Sequence, residues 1–187
     1  MTDRNFMTLD LEMNQPSGKI IQIGAVIGNL ASGKIIAEYL CHIKVHEMIS
    51  DYIHNLTGIS QEDVKHGITL DQAYRSLSQL HKRYECFRNP ITWGGGDSLE
   101  LRNQLGWPTD EMFLFGRRWI DAKTLFVSLR FARGQQHQAG LARALRKFNM
   151  EFQGKKHCAV DDARNTFLIY RRMLQELRTQ NLGENNE

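Results

Sequence analysis

The sequence is poor in cysteine and has no long run of apolar residues. Its three cysteines, Cys41, Cys86 and Cys158, stand far apart, and no Cys-x-x-Cys pair occurs. This spacing argues against a disulfide framework and against a cysteine-ligated zinc site, and it favours a reducing compartment. No segment approaches the roughly 18 apolar residues that a membrane-spanning helix needs. The N-terminus also lacks the pattern of a signal peptide, so we expect a cytoplasmic protein with no membrane partner.

Repeats, low-complexity segments and obvious linkers are absent too. We therefore expect one domain over residues 1–178. Residues 179–187 are polar and are expected to form a disordered tail. The apolar share of 41% and the charged share of 24% are ordinary for a globular domain with a sizeable core.

The net charge of +3 conceals an uneven distribution along the chain. Residues 1–112 contain 10 Lys and Arg against 14 Asp and Glu, a net charge of −4. Residues 113–187 contain 14 against 7, a net charge of +7. An acidic cluster beside a basic half is consistent with a polyanion held over a metal site. A solvated basic face without a partner is the alternative, since it would give the same excess of basic residues.

The chain is organised around the stretch Phe6–Met13. Its alternation of apolar and polar residues is typical of a strand, in which residues i and i+2 point the same way. Asp10 and Glu12 should therefore lie side by side, and the apolar run at residues 20–27 makes their strand central. Two carboxylates on a covered strand repel each other unless a cation lies between them, and a divalent metal is the obvious candidate. A pair of surface carboxylates on an edge strand is the alternative.

The rest of the chain combines strands with helices. Three strands joined by short turns, at residues 6–13, 19–27 and 35–43, predict an antiparallel meander. Two shorter strands are predicted at residues 91–93 and 119–121. Helices are predicted at residues 69–84, 98–105, 124–132, 138–149 and 161–177, a loop or short helix at residues 50–59, and the start of a short helix at Ser60. Together these elements indicate an α/β fold, a mixed sheet with helices packed around it.

A second acid, Asp97, stands where a predicted strand gives way to a helix. The triple glycine Gly94–Gly96 precedes it, so the backbone can approach a ligand closely at this point. No Lys-Ser or Lys-Thr follows, which argues against a phosphate-binding P-loop. A plain helix N-cap is the alternative role for Asp97.

A third cluster lies near the end of the chain, where His157 precedes Asp161 and Asp162 at the head of a long amphipathic helix. Consecutive helix positions do not share a face, so one aspartate can point at a metal while the other points elsewhere. The helix dipole alone would also favour both aspartates in a first turn. His157 itself stands in a loop after Gly154 and could swing into and out of a site.

Taken together, the clusters resemble the signature of the DEDDh, or DnaQ-like, 3′-to-5′ exonuclease family. That signature is Asp-x-Glu on the first strand, a second Asp midway, and His-x-x-x-x-Asp near the end. The matching residues are Asp10, Glu12, Asp97, His157 and Asp162. Further stretches are similar to the exoribonuclease branch related to the histone-mRNA 3′ exonuclease; they are residues 20–25, 56–60, 91–94 and 151–165. This chain has two glycines where that branch tends to have an aromatic residue before the middle Asp.

The resemblance implies a ribonuclease H-like fold, with a five-stranded mixed sheet flanked by helices. It also implies two Mg²⁺ or Mn²⁺ ions, held by Asp10, Glu12, Asp97 and Asp162. His157 would act as general base on the attacking water, which makes all five residues catalytic candidates. Such an enzyme would release nucleoside 5′-monophosphates one at a time from the free 3′ end of single-stranded RNA or DNA.

Contacts to the substrate are also predicted. Lys155, Lys156 and Arg164 are candidates for contacts to backbone phosphates. Leu56 and Thr57 are candidates for the terminal nucleotide, and the resemblance implies that the backbone near Met13 also lines that pocket.

Two other functions stay open on the sequence alone. The same fold can serve as a non-catalytic module that binds nucleic acid or a protein, although a pure binder has no need of all five signature residues. The second is a proofreading DNA exonuclease subunit, whose polymerase partner would leave no readable motif. RNA is favoured as substrate, but no residue visibly reports the 2′-OH, and the sequence does not determine whether the protein forms a homodimer.

Overall fold

The structure is a computed structural model that describes residues 1–106, 115–116, 118–135 and 138–183. Five strands and seven helices lie in this part of the chain. The strands are β1 (Asn5–Met13), β2 (Ile20–Asn29), β3 (Ile35–His42), β4 (Ile91–Thr92) and β5 (Ile120–Asp121). The helices are α1 (Asp51–Thr57), α2 (Gln61–Lys65), α3 (Leu70–Arg83), α4 (Gly96–Leu105), α5 (Ala122–Ala132), α6 (Leu141–Lys147) and α7 (Ala159–Gly183).

The five strands form one mixed sheet in the order β3-β2-β1-β4-β5. The first three strands pair antiparallel, while β4 runs parallel to β1 and β5 runs parallel to β4. The carboxyl ends of β1, β4 and β5 therefore meet at one end of the sheet, where α/β proteins place their ligands. This topology confirms the predicted α/β fold with a five-stranded mixed sheet flanked by helices.

Alternation along β1 divides the core into two layers. Met7, Leu9 and Leu11 lie on one face of the sheet and are buried in the cluster that α3 and α4 complete. Phe6 lies on the opposite face and packs in the cluster formed by α5, α6 and α7. Because residues i and i+2 of a strand share a face, the polar end of this second face carries Asp10 and the acid that follows it, as predicted.

Two glycines of β2 bring α7 close to the sheet. A methyl group on Gly24 would overlap the backbone of Ala159 and Val160, and one on Gly28 would overlap the ring of Phe167. The separation of the two glycines along β2 is about 13 Å, and that of Ala159 and Phe167 along α7 is about 12 Å. The helix therefore lies along β2, with its first turn over the strand that pairs with β1.

A buried side chain also holds the start of α7. The Gln22 side-chain carbonyl accepts a hydrogen bond from the backbone N–H of Ala159 at 2.9 Å. This N–H is one of the donors that the first turn of a helix leaves without an intrahelical partner. Gln22 is 5% exposed, so the hydrogen bond connects the sheet to the helix inside the core.

The boundaries of several elements differ from their predictions. The predicted disordered tail began at residue 179, but α7 continues to Gly183, and residues 184–187 lie outside the described residues. The predicted α6 over residues 138–149 is shorter, because Gly140 is its N-cap and Asn149 has a positive φ of 55°. Most of the region predicted to be irregular, residues 112–118, lies outside the described residues. In the described part of the chain, no helix has the length and apolar character needed to cross a membrane.

The close approach at Gly24 predicts a destabilising effect of a single methyl group. We expect Gly24→Ala to lower the free energy of unfolding by about 1–3 kcal/mol, since the backbone of α7 must move away from β2. Gly96→Ala is the matched control, because a methyl group there would meet no atom within 4 Å. Urea denaturation of both variants measures the effect, and equal stability of the two variants would contradict the proposed packing.

Candidate metal centre

Three carboxylates converge at the carboxyl end of β1. Asp10, Glu12 and Asp162 each offer an oxygen atom, and these atoms lie within 4.8 Å of one another. The first two come from alternate positions of β1, and the third comes from the first turn of α7. The seating of α7 over Gly24 brings the two elements together, because Gly24 is the partner of Asp10 in the β1–β2 ladder.

Burial and mutual repulsion raise the pKa values of these carboxyl groups. The pKa of Asp10 lies well above its usual range, through burial first and then through the charges of Asp97, Asp162 and Glu12. Burial and the charges of Asp162 and Asp97 raise the pKa of Glu12 to about 7. Burial also raises the pKa of Asp162 to about 6, partly offset by a hydrogen bond and positive charge from His157. The centre is therefore a concentration of negative charge that a cation would stabilise.

Asp97 lies beside this group without being one of the three closest carboxylates. It is in the first turn of α4, and its charge contributes to the raised pKa values of both Asp10 and Glu12. Burial, followed by repulsion from Asp121, raises its own pKa to about 7. The alternative that Asp97 is the N-cap of α4 is wrong, because the N-cap is Gly95 and no side chain caps this helix.

Asp121, which the sequence analysis did not single out, supports the loop that carries Asp97. It ends β5 and is the N-cap of α5, accepting hydrogen bonds from the backbone N–H groups of Lys123 and Thr124. The same carboxylate accepts a hydrogen bond at 3.1 Å from the backbone N–H of Gly94, at the start of the triple glycine. An aspartate at the end of a predicted strand and just before a predicted helix was the available signal, since Asp is a preferred N-cap.

His157 lies next to the acidic group, in the loop before α7. Its backbone N–H donates a hydrogen bond of 2.7 Å to the carboxylate of Asp162, and its φ of 60° is in the left-handed region. The residue is exposed. The imidazole is therefore attached to a tight turn whose backbone is hydrogen-bonded to one of the three clustered acids, and the residue is accessible to solvent.

The two consecutive aspartates have different partners, as the helical spacing predicted. Asp162 joins the acidic group, whereas Asp161 accepts a hydrogen bond of 2.9 Å from the backbone N–H of Lys155 and pairs with Arg164. A methyl group on Gly154 would overlap the Asp161 carboxylate, so the loop passes very close to this side chain. Asp161 therefore shapes the loop that carries His157.

The predicted substrate residues fall into two groups. Lys155 donates a hydrogen bond of 2.7 Å from its ammonium group to the carbonyl of Thr57, which places the His157 loop beside the end of α1 and near Leu56. The Thr57 hydroxyl is engaged inside α1, where it donates to the carbonyl of Ile53 at 2.8 Å. The predicted contacts of Leu56 and Thr57 to a nucleotide therefore stay predictions, and the hydroxyl is not free to make one.

The second group consists of Arg164, Lys156 and Met13, which lie apart from one another in the chain. Arg164 forms a two-pronged ion pair with Glu38 of β3, with N···O distances of 2.7 and 2.8 Å. A phosphate contact by Arg164 stays a prediction and would require exchange of this carboxylate. Lys156 is exposed, and Met13 is partly buried against the α3 side of the sheet.

Several known proteins are similar to this chain in sequence. An exonuclease family model, RNase_T, matches residues 7–92. The chain is 27% identical over 184 residues to mouse ERI1 exoribonuclease 2, covering 86% of this chain and 26% of that protein. It is 25% identical over 170 residues to human 3′-5′ exoribonuclease 1, covering 84% of this chain and 47% of the relative. The chain thus spans between a quarter and a half of the length of these relatives.

Solved structures share the fold over nearly the whole chain. The nuclease domain of 3′hExo, a DEDDh family member, bound to rAMP, has a TM-score of 0.77 at 22% identity, with 92% of each chain covered. A 3′-exonuclease that recognises the 3′ end of the histone mRNA stem-loop has a TM-score of 0.78 at 23% identity, covering 94% of this chain and 84% of that one. The chain is therefore similar in sequence to 3′-5′ exoribonucleases and in fold to DEDDh 3′ exonucleases, which confirms the resemblance that its motifs predicted.

Proposed function

We propose that this chain is a metal-dependent 3′-to-5′ exonuclease that hydrolyses single-stranded nucleic acid, with RNA favoured, to nucleoside 5′-monophosphates. The observation that carries the proposal is the convergence of Asp10, Glu12 and Asp162 within 4.8 Å, with the charge of Asp97 beside them. The relatives named as exoribonucleases support the reaction type and favour RNA.

The donor set fits hard divalent cations. Mg²⁺ and Mn²⁺ prefer oxygen ligands, and every candidate ligand here is a carboxylate. Four carboxylates roughly balance the charge of two divalent ions, and burial first, then the charges of neighbouring acids, raises the pKa values of Asp10 and Glu12. When bound, such ions would stabilise the charge that develops on the attacking and leaving oxygens of an in-line displacement.

The chain's own residues would divide the remaining work. Asp10, Glu12, Asp97 and Asp162 would hold the ions. His157 would take a proton from the attacking water, because this exposed residue stands in a turn hydrogen-bonded to Asp162. The end of α1, reached by the Lys155 ammonium group, is the nearest candidate for a terminal-nucleotide pocket.

Cytoplasmic location, a homodimer and a polymerase partner stay predictions that the fold does not bear on. The clustering argues against the non-catalytic alternative, because a module that only binds has no use for half-buried carboxylates that repel one another. The preference for RNA over DNA is the part of the proposal that rests most on the relatives.

The exonuclease proposal is tested with 5′-labelled RNA and DNA oligonucleotides of matched sequence. With Mg²⁺ or Mn²⁺, the purified protein should shorten the RNA into a ladder faster than the DNA, and EDTA should stop the reaction. Asp10→Asn should abolish cleavage, whereas Asp71→Asn, an exposed acid in the first turn of α3, should not change it. A folded protein that leaves both oligonucleotides intact with either metal would refute the proposal.

The role of His157 predicts a partial loss. We expect His157→Ala to slow the single-turnover rate by about 10²–10⁴-fold, the usual contribution of a general base. The variant should still bind Mn²⁺, so that the loss is confined to the cleavage step. His66→Ala, an exposed histidine at the end of α2, is the matched control. Unchanged rates in His157→Ala would remove this residue from the mechanism.

The raised pKa values predict that metal-free protein loses stability as the pH rises. Because the pKa of Glu12 is about 7 in the fold and its ordinary value is 4.5, the folded chain binds more protons than the unfolded chain between these values. Its contribution to stability therefore falls through this window. In EDTA, Glu12→Gln should match the wild type near pH 4.5 and have a thermal midpoint higher by several degrees at pH 8.

Addition of Mn²⁺ provides the complementary measurement. It should raise the midpoint of the wild type more at pH 8 than at pH 6, because protons no longer compete with the cation, and it should raise that of Glu12→Gln less. A stability difference between the two proteins that does not depend on pH would contradict the raised pKa of Glu12.

A further inference from the structure

A basic cleft lies between α5 and α6, on the side of the sheet that also carries α7. Its volume is about 440 Å³. The residues that line it are Phe126, Arg130, Gln138, Ala139, Arg143, Arg146 and Lys147. Four of these seven side chains are cationic and none is acidic, which distinguishes this cleft from the carboxylate-lined centre.

Arg130 is buried in this cleft without a counter-charge among the described residues. The residue is 8% exposed, and its buried Nε atom has no hydrogen-bond acceptor among the residues that the structure describes. No carboxylate in the described part of the chain forms an ion pair with it. A buried cation that lacks a counter-charge is costly, so a fold that keeps one has a reason outside its own packing.

Two other arginines on the same side of the sheet have acceptors, in contrast to the buried Nε atom of Arg130. Arg133 forms an ion pair with Glu176 at 3.0 Å. Arg171 donates to the backbone carbonyls of Leu30 and Ala31. Among the described residues, Arg133 and Arg171 therefore have acceptors, whereas the Nε atom of Arg130 in the cleft has none.

We propose that the basic cleft binds backbone phosphates of the nucleic acid upstream of its 3′ end. The inference rests on the proposed exonuclease function, because a substrate chain extends from the acidic centre. An anion with several phosphate groups matches four cations, and arginine is the residue best suited to phosphate oxygens.

The position of α5 connects the cleft to the acidic centre. The N-cap of this helix is Asp121, whose charge acts on Asp97. Arg130 stands eight positions after Ala122, a rise of about 12 Å along the helix. A nucleic-acid chain that leaves the acidic centre along α5 would therefore reach the basic cleft after a few nucleotides. A dinucleotide would be too short to reach it.

Binding of a fluorescent 20-nucleotide oligouridylate, in EDTA to prevent cleavage, tests the cleft. Arg143→Gln/Arg146→Gln changes two exposed side chains of the cleft, and Arg75→Gln/Lys82→Gln removes the same charge from exposed positions of α3, on the other face of the sheet. We expect the cleft variant to bind about tenfold more weakly than the control. The slope of its log affinity against log salt concentration should become shallower by about 0.7 for each phosphate that no longer meets a cation. If both variants lost the same affinity for the oligonucleotide, the loss of net charge alone would explain the effect, and the proposal would be overturned.

Two further measurements distinguish the backbone phosphates of a nucleic acid from a small polyphosphate as the ligand of the basic cleft. The cleft variant should cleave a dinucleotide as well as the wild type does, but should have a higher KM for the 20-nucleotide substrate. Pyrophosphate binding, measured by calorimetry, reports the phosphate chemistry alone. If the cleft variant loses pyrophosphate binding but keeps the affinity of the wild type for the oligonucleotide, the site serves a small polyphosphate and the proposed ligand is wrong.

Arg130→Met tests the buried cation itself. If the guanidinium is kept for a ligand, this apolar replacement should be at least as thermally stable as the wild type and should bind the oligonucleotide more weakly. A lower thermal midpoint with unchanged oligonucleotide affinity would make Arg130 a packing residue and overturn the assignment. Absence of cleavage by the wild type would refute the exonuclease but would leave these binding comparisons valid, so the two failures are distinguishable.

Discussion

The close contact between the first turn of α7 and β2 is the constraint on which the acidic centre depends. Gly24 leaves no side chain between strand and helix, and Gln22 accepts the hydrogen bond of the helix's first N–H. The helix contributes Asp162, and the paired strand contributes Asp10 and Glu12. The geometry of the site is therefore determined by packing at positions that contribute none of its carboxylates.

This packing works against the electrostatics of the site. Desolvation and repulsion raise the pKa values of Asp10, Glu12 and Asp97, so the carboxylates would separate if the backbone allowed it. They are instead attached to the central strand and to helices that begin at the carboxyl end of the sheet. Rigid elements thus hold like charges in place, as the proposed cation site requires, since preorganised sites avoid rearrangement during a reaction.

The sequence predicted the features that repeat along an element or recur in a family signature. Alternation in Phe6–Met13 predicted which face carries Asp10, and helical spacing predicted that Asp161 and Asp162 diverge. The sequence did not reveal the role of Gly24. A glycine in a strand indicates that another group approaches closely, but it does not identify that group, which here is Ala159, 135 positions away in the chain. Asp121 and the length of α7 were missed for related reasons: a cap depends on its exact position, and a polar helix end resembles a tail.

The uneven distribution of charge along the chain corresponds to two separate charged regions in the fold. The negative half contributes three of the four clustered acids, and the basic cleft belongs entirely to the positive half. Each region carries buried charge that its own described neighbours do not neutralise, so each lowers the stability of the isolated protein. One ligand class would relieve both costs: a polyanion whose backbone phosphates match the cleft and whose reacting phosphate is held by cations between the carboxylates. The basic cleft and the acidic centre are therefore best understood as two ends of one binding surface, connected by α5.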